Sequence, residues 1–329
     1  MRTTARFPAL AATSPHYESF YIKATSPEGG RALWLRHTIH QRPGHEATAS
    51  LWLTYFDADA DGPRAGKVTV PAGELSFPPG AYIRIGEAVL EPGAARGALA
   101  DESLPASWDL RFTDAAEPLH HLPYERMYTA KLPRTKLLSP HPSARFDGEL
   151  RLGDEAIEVA GWRGMVGHNW GAEHAERWVW LHAAGLNGNE GDYFDVAAGR
   201  IRIGPFTTPW VANGMIVLDG EAHRLGGLGH VYGTVVEARP GECEFTFPGK
   251  GVNVRGRVQA PLKDFVAWVY ADPKGPEHNT INCSIADIEL KVERPGRRHG
   301  RVAMAGAAAY ELGMRESDHG VPLQPYPDG

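Results

Sequence analysis

Hydrophobic and polar residues alternate in short runs along most of this chain. In one run, valine occupies positions 252, 254 and 258, and Asn253, Arg255 and Arg257 lie between them. Because successive side chains of a strand point to opposite faces, this period of two predicts a half-buried β-strand. Comparable runs, separated by Gly, Pro and Asp, are Leu33–His40, Ser50–Asp57, Val68–Val70, Tyr82–Ile85, Trp108–Phe112, Gly148–Leu152, Ala156–Val159, Tyr193–Val196, Arg200–Ile203, Gly214–Leu218, His230–Glu237 and Glu242–Phe247. The pattern predicts an all-β fold with little helix.

Three segments in the C-terminal part depart from this simple alternation. Phe265–Tyr270 is apolar throughout, which predicts a strand buried on both faces. In Thr280–Val292 the apolar positions change from odd to even numbers, which predicts a bulge or break near Ala286–Asp287. Arg301–Arg315 is rich in alanine and favours a helix, but its two interior glycines leave a strand that closes a barrel as the alternative.

A proline-rich interval interrupts the runs between Pro133 and Phe146. Its three prolines predict a loop, and we expect the change from a first to a second domain between this loop and about residue 190. At 329 residues the chain exceeds the usual size of a single core, so two domains are expected. We assign residues 1–188 to an N-terminal β domain and residues 189–329 to a C-terminal β domain.

Composition narrows the classes of function. The chain has 34 Lys and Arg against 40 Asp and Glu and no long basic block, so nucleic-acid binding is not expected. No apolar run approaches the length of a membrane-spanning helix, and the N-terminal apolar stretch, interrupted by Pro8, is too short for a signal peptide. Cys243 and Cys283 do not make a disulfide framework, which favours two buried free thiols and a cytoplasmic location.

The segment Gly167–Gly185 concentrates aromatic and titratable side chains, including three of the nine tryptophans of the chain. If Arg177–Ala183 is a strand, Trp178, Trp180 and His182 share one face. The same parity adds His168 and Trp170 to a single wall. Large aromatic surfaces beside a few polar groups are typical of a pocket for an apolar ligand. The predicted substrate-binding residues are Trp170, Trp178, Trp180, His174, Arg177, Tyr193, Trp34 and His37.

The same segment lacks the spacings of several common catalytic sites. His168, His174 and His182 are six and eight residues apart, which fits neither the HExxH helix nor the CxxC pairs of zinc sites. The chain has no GxSxG nucleophile motif and no GxGxxG dinucleotide loop. We therefore expect neither a metal nor another cofactor.

Carboxylates near this segment are candidates for a general acid. Glu173 and Glu176 lie within it, and Asp192 and Asp195 follow it. Burial among indoles would raise the pKa of such a carboxyl group, so that it could hold a proton at neutral pH. A second mixture of aromatic and titratable residues, which could face the same pocket from the other domain, comprises Glu18, Tyr21, Lys23, Trp34, Arg36, His37 and His40.

Four passages of the chain resemble the superfamily of carotenoid 1,2-hydratases (hydroxyneurosporene synthases), tocopherol-cyclase-like proteins, AttH-like proteins and fungal Diels–Alderases. They are Glu18–Ala24 with Ala32–His37, Pro133–Gly148, Gly167–Gly171 before Arg177–His182, and Ala308–Gly313. The resemblance implies two lipocalin-like β-barrel or sandwich domains packed together, with a ligand between them or in a barrel mouth. It also implies hydration, dehydration or cyclisation of a hydrophobic, often isoprenoid molecule without a redox cofactor.

The resemblance leads to a working hypothesis for the mechanism. Several relatives carry an acid where this chain carries Asn169, which favours Glu173 or Asp195 as the group that protonates an alkene. Tryptophan faces would stabilise the cation. His168 or His182 would accept a proton from the attacking water, which Asn169 would orient. The expected partner is an isoprenoid-like small molecule, and a homodimer is left open. The alternatives are a non-catalytic carrier of an apolar metabolite and a structural protein with a collapsed interior.

Overall fold

The computed structural model describes residues 3–275, 277–296 and 299–326. The twelve strands of the first sheet are β1 His16–Thr25, β2 Arg31–Gln41, β3 Thr48–Asp57, β4 Arg64–Pro71, β5 Leu75–Ser76, β6 Ile83–Ile85, β7 Ala88–Glu91, β8 Ala94–Leu99, β9 Ala106–Asp114, β10 Leu119–His120, β11 Thr135–Leu152 and β12 Glu155–Gly171. The ten strands of the second are β13 Arg177–Ala184, β14 Tyr193–Arg200, β17 Val211–Leu218, β18 Glu221–Gly226, β19 Val235–Arg239, β20 Glu242–Gly249, β21 Val252–Gln259, β22 Val266–Ala271, β23 Glu277–Glu293 and β24 Gly300–Met314. A separate pair is β15 Arg202–Ile203 and β16 Phe206–Thr207. Short 3-10 turns lie at Phe7–Ala9, Ala72–Glu74, Glu125–Tyr128, Leu186–Gly188, Leu228–Gly233 and Leu262–Asp264.

The second sheet closes into an eight-stranded barrel. Its strand order is β18-β17-β14-β13-β24-β23-β21-β20-β19, and a further pairing of β18 with β20 closes the eight strands from β18 to β20 into a ring, to which β19 is added at β20. The first sheet, in the order β4-β3-β2-β1-β12-β11-β9-β8-β7-β6-β5, forms a nearly closed barrel. The prediction of an all-β fold with two lipocalin-like domains and little helix is therefore confirmed.

Strand β1 is buried along its whole length because it lies between the two barrels. Its residues Phe20 and Ile22 pack in the core of the first barrel, whereas Tyr21, which points the other way, packs against Trp180 of the second sheet. On the neighbouring strands β2 and β3, Trp34 and Trp52 join the core of the second barrel. The outer faces of β1, β2 and β3 thus form one side of the interface between the barrels.

The loop predicted for Pro133–Phe146 is wrong, because most of this interval belongs to the long strand β11. The register of β11 against β12 shifts on each side of His141, where Pro140 and Pro142 lie. Proline has no N–H to donate to a ladder, and a β-bulge accommodates the missing hydrogen bond. The prolines therefore interrupt the pairing of a long strand without ending it.

The C-terminal segments bear out the remaining predictions about strands. The register of β23 against β24 shifts between Cys283 and Ile288, which confirms the predicted bulge. Phe265 and all of β22 except Val269 are buried, as the uniformly apolar run predicted. The helix favoured for Arg301–Arg315 is wrong, and the alternative is confirmed: β24 pairs with β13 and β23 and closes the barrel. Ladder pairing on both edges outweighs the high helix propensity of alanine, because propensity differences amount to less than about 1 kcal/mol per residue.

The chain passes from the first sheet to the second between Gly171 and Arg177. Strand β13 pairs with β14 and β24, so it belongs to the second barrel rather than to the N-terminal part. The aromatic segment concealed this change because its composition is continuous across the link. The sheets thus change earlier than the predicted boundary at residues 188 and 189, which stays a prediction as a division into folding units.

Two smaller expectations concern the cysteines and the membrane. Cys243 and Cys283 are both buried and free, as predicted. Within the described part of the chain, no helix has the length and apolar character needed to cross a membrane.

Candidate functional site

The aromatic strand β13 presents its two faces to different surroundings. One face packs in the core of the second barrel and consists of Val179, Leu181 and Ala183. Trp178 and Trp180 lie on the opposite face, which is turned toward the first sheet. Gly313 makes room for the indole of Trp178, because a Cβ at this glycine would lie 2.2 Å from the ring. A glycine on β24 is thus needed for the aromatic face of β13 to form.

His168 and Trp170, which we predicted on the same wall, lie inside the first barrel instead. The His168 ring is stacked on Phe20 and on Trp170, at centroid distances of 3.9 and 4.5 Å. Its Nε2 lies 2.7 Å from Glu18 Oε1, and Glu18 also accepts hydrogen bonds from the backbone N–H groups of residues 6 and 7. The single wall is therefore wrong, because the link after Gly171 carries the chain to the other barrel.

Asp195, one of the two predicted acids, is fully buried. Its carboxylate accepts hydrogen bonds from Ser139 Oγ at 2.6 Å and from Trp180 Nε1 at 3.0 Å, and His121 Nε2 lies 3.3 Å away. Burial alone would raise the pKa of Asp195, but His121 and the hydrogen bonds lower it to about 2. Our expectation of a raised pKa for Asp195 is wrong, because both oxygens of its carboxylate are paired and the group is ionised.

Glu173 and Arg177 project toward solvent. Glu173, the second predicted acid, is partly exposed and forms an ion pair with Arg134. Arg177 Nη1 lies 2.7 Å from Glu316 Oε1, where it holds the C-terminal segment. Glu173 therefore lies at the surface beside a cation and not among the indoles where we expected the acid.

Four further predicted residues have packing or backbone roles. Asn169 Oδ1 accepts a hydrogen bond from Ser19 Oγ at 2.5 Å. His182 Nε2 lies 3.0 Å from the carbonyl of Pro142, and burial lowers the pKa of His182 to about 4. Burial likewise lowers the pKa of His37 to about 4, and neither ring nitrogen has a partner among the described residues. Trp34 packs edge-on against a neighbouring indole, and the Tyr193 hydroxyl donates to a methionine sulfur.

A narrow cleft lies between the two barrels, with a free volume of about 20 Å³. This space holds about one water molecule and is far below the range for ligand pockets, so a larger bound molecule needs the lining side chains to move apart. The residues that line it are Tyr17, Glu18, Arg36, Thr38, Ile39, His40, Trp52, His174, Tyr270 and Ala271. His174 comes from the predicted substrate-binding set. Glu18, Arg36 and His40 come from the N-terminal mixture that we expected to face a pocket.

His174 and Asp272 form a hydrogen-bonded pair at the wall of this cleft. Asp272 Oδ1 accepts hydrogen bonds from the backbone N–H and from Nδ1 of His174, each at 2.7 Å. His174 Nε2 and Asp272 Oδ2 are buried and have no hydrogen-bond partner in the part of the chain that is described. Burial alone would raise the pKa of Asp272, but the bonds from His174 lower it. The carboxylate holds the imidazole in one tautomer and leaves Nε2 for proton transfer.

His278 on β23 completes a group of three that could ligate a divalent cation. Its Nδ1 lies 3.7 Å from Asp272 Oδ2, and one ligand atom each from His174, Asp272 and His278 lie within 4.8 Å of one another. Two imidazoles and a carboxylate suit Zn²⁺ or a similar transition metal. The expectation of no metal, which rested on the spacing of His168, His174 and His182, stays a prediction.

Aromatic rings surround the His174–Asp272 pair. The imidazole of His174 is stacked on Tyr17 at 4.0 Å and on Trp178 at 5.3 Å. Tyr270 lies 5.9 Å from His174, and the guanidinium of Arg36 lies over the Tyr270 ring at 4.1 Å. The arrangement can bind an apolar molecule by its faces and exchange a proton with it at one nitrogen.

Asp272, His278 and Tyr270 were not predicted from the sequence. Asp272 is 98 positions away from His174, and only the strand order of the second barrel brings the end of β22 beside the link. The position of Asp272 directly after a buried apolar run is a signal that could have identified it. Loop residues that follow such a run often carry function.

The chain has sequence relatives among known proteins. No protein-family model matches the chain. Two uncharacterized proteins, one from each of two strains of Mycobacterium tuberculosis, are 27% identical to it over 323 residues, which cover 95% of this chain and 90% of theirs.

Solved structures resemble the chain over nearly its whole length. A candidate AttH from Nitrosomonas europaea has a TM-score of 0.57 at 14% identity and covers 94% of this chain and 96% of its own. Kievitone hydratase from Nectria haematococca has a TM-score of 0.54 at 11% identity, with 96% of both chains covered. CghA has a TM-score of 0.55 at 12% identity and covers 94% of this chain and 90% of its own. The resemblance to the AttH-like superfamily is therefore confirmed at the level of the fold: the chain has the two-barrel architecture of these proteins.

Proposed function

We propose that this protein adds water to, removes water from, or cyclises a hydrophobic, isoprenoid-like molecule bound in the cleft, without a redox cofactor. The observation that carries the proposal is the His174–Asp272 pair, set among aromatic rings at the wall of a cleft between two barrels. The fold, shared with a protein named a hydratase, supports the same class of reaction. Because the same fold is also used by carrier proteins, the support for a reaction comes from the residues of the site and not from the fold.

His174 is the proton-transfer group of the proposed reaction. Asp272 accepts the Nδ1 proton of His174 in a hydrogen bond, so Nε2 is the atom that gives or takes a proton. In the direction of hydration, one alkene carbon gains a proton and the other gains the oxygen of water. Asp195 does not fill this role in the proposal, because hydrogen-bond donors occupy its oxygens. Glu173 does not fill it either, because it is paired with Arg134 at the surface.

The apolar body of the substrate would lie against the rings of Tyr17, Trp52 and Tyr270, which line the cleft. Aromatic faces offer a large apolar area against which such a body can pack. Since the free volume is only about 20 Å³, the lining side chains must move apart to admit even a short isoprenoid.

Turnover of terpenoid alkenes and alcohols tests the proposal. The purified chain would be incubated with geraniol, nerol and citronellol in isotopically labelled water, and products would be identified by mass spectrometry. His174→Gln and Asp272→Asn should each lower turnover by about 100-fold or more, the usual worth of a positioned acid–base group. The same substitutions at exposed positions, His45→Gln and Asp154→Asn, should leave turnover unchanged.

Two results would contradict the proposal in different ways. Stoichiometric retention of a terpenoid with no product would favour the carrier. Full turnover by a folded His174→Gln variant would show that another group transfers the proton.

A further inference from the structure

Arg36 is a buried cation that faces the cleft. It lies on β2 with 5% of its surface exposed, and it is one of the residues that line the cleft. Its guanidinium contacts only rings in the contacts described: Tyr270 at 4.1 Å, Trp52 at 5.5 Å and Trp34 at 5.9 Å. Aromatic faces attract a cation but cannot accept its five N–H donors as oxygen atoms do.

No carboxylate within residues 3–275, 277–296 and 299–326 forms an ion pair with Arg36, and none of its N–H groups donates a hydrogen bond there. Another buried arginine shows what the fold does when it needs a charge for structure. The Arg294 side chain is 9% exposed, and it pairs with both Asp219 and Glu221 at 3.3 Å. A buried charge without such a partner is costly and calls for one from outside the chain.

The acidic groups nearest the cleft are already engaged. Glu18 lines the cleft, but its carboxylate points into the first barrel, where backbone N–H groups, His16 and His168 take its oxygens. Asp272 Oδ1 is taken by His174. No acidic side chain beside the cleft is therefore left to pair with Arg36, and a group on a bound molecule is a candidate counter-ion.

We propose that Arg36 binds an anionic oxygen of the substrate, so that the substrate is an apolar molecule with a carboxylate or a comparable acidic oxygen at one end. The proposal rests on the proposed function, in that it names the substrate class of the same cleft. The acidic end lies at Arg36, and the apolar body lies against Trp52 and Tyr270. His174, which also contacts Tyr270, faces the atoms beyond the acidic end.

This placement also selects the order of bond changes. A cation on the alkene would be repelled by Arg36, whereas negative charge on an oxygen conjugated to the double bond is stabilised by it. Hydration then begins when His174 Nε2 takes a proton from water and the C–O bond forms at the carbon distal to the acidic group. The electron pair of the double bond moves onto the conjugated oxygen, and the same proton then passes from His174 to the adjacent carbon. The sum is the addition of water across the double bond.

A matched pair of ligands tests the proposal on the full chain. Geranic acid and its methyl ester share one apolar body, and quenching of tryptophan fluorescence reports binding, since Trp52 and Trp178 lie at the site. Wild-type chain should bind the acid about tenfold or more tightly than the ester. Arg36→Gln should lose this preference and keep its affinity for the ester, which also shows that the cleft is intact. Arg36→Lys should retain part of the preference, and Arg64→Gln, at an exposed ion pair, should retain all of it.

Equal binding of acid and ester by wild-type chain, binding of neither, or a preference that survives Arg36→Gln would overturn the proposal. Failure of the proposed function has a different signature. His174→Gln should keep the preference for the acid, because it removes proton transfer and leaves Arg36 in place. A chain that shows the Arg36-dependent preference but no turnover would refute the catalytic proposal alone.

Discussion

Asp195 and Asp272 are both buried aspartates with histidines beside them, yet their surroundings differ. Asp195 accepts hydrogen bonds from Ser139 and Trp180 and lies beside His121, so each of its oxygens is engaged. Asp272 uses one oxygen for His174 and leaves Oδ2 buried with no hydrogen-bond partner in the described residues. The first arrangement is closed, and the second has capacity left for a ligand.

The comparison shows that burial of an acid does not by itself indicate catalysis. Burial raises a carboxyl pKa only where donors and cations do not compensate, and at Asp195 they do. Unsatisfied buried polar atoms are uncommon in native proteins and need an explanation. Such atoms at His174 and Asp272, beside the unpaired charge of Arg36, distinguish the cleft from the surroundings of Asp195 and are the reason why we propose it as the functional region.

The largest expected effect is a loss of stability at Asp195. Asp195→Ala leaves Ser139, Trp180 and His121 without their shared acceptor, which should lower the free energy of unfolding by about 3–5 kcal/mol. Asp272→Ala removes two hydrogen bonds from a single residue and should cost about 2 kcal/mol. Urea unfolding of both variants measures the difference. An equal or larger loss for Asp272→Ala would contradict this comparison, in which the surroundings of Asp195 (the closed region) are fully paired and those of Asp272 (the open region) are not.

Much of the fold could be predicted because alternation, turn residues and an apolar phase change are local signals. The bulge in β23 followed from its apolar phase, since a shift of one residue moves side chains to the other face. The N-terminal part of β11, up to Phe146, could not be recognised, because prolines at its bulges have the same signature as prolines in a loop. Strand β24 was ambiguous, because the helix propensity of alanine is overridden when neighbouring strands are available for pairing, and the sequence alone does not show those neighbours.

The candidate site could be predicted only in part. His174 and Arg36 were found because each stands in a local mixture of aromatic and titratable residues. The wall that joined His168 to Trp178 failed, because parity along the chain continues through a link that changes barrels. Asp272 has no local signal as a partner of His174, since their contact depends on the strand order of the second barrel, which brings the end of β22 beside the link.

A second prediction concerns acid stability in the closed region. His182 has a pKa of about 4 in the folded chain, against 6.5 for the free side chain, because burial disfavours its charged form. The unfolded chain therefore binds a proton first, and stability falls as the pH drops from 6.5 to 4, by about 3 kcal/mol for this group. The depressed pKa of Asp195 acts in a lower window, from 3.8 to about 2.

Urea unfolding at pH 7, 5.5 and 4.5 would measure this loss. His182→Gln keeps a side-chain N–H for the carbonyl of Pro142 and should flatten the decline, whereas His45→Gln, at an exposed position, should not. A decline of the same size in His182→Gln would assign the proton uptake to other groups.

The smallest expected effect tests whether the open region is a metal centre. Asp272 Oδ1 accepts two hydrogen bonds from His174, so the pair is held in place without a cation. Dialysis against a chelator, or addition of Zn²⁺, should therefore shift the midpoint of thermal unfolding by no more than about 1 °C, since a ligand stabilises only in proportion to its differential binding. A large rise with Zn²⁺ that is lost in His278→Gln would instead identify the group of His174, Asp272 and His278 as a metal centre. His174 would then act as a ligand rather than as a free proton carrier, because its imidazole cannot bind a cation and exchange a proton through the same nitrogen.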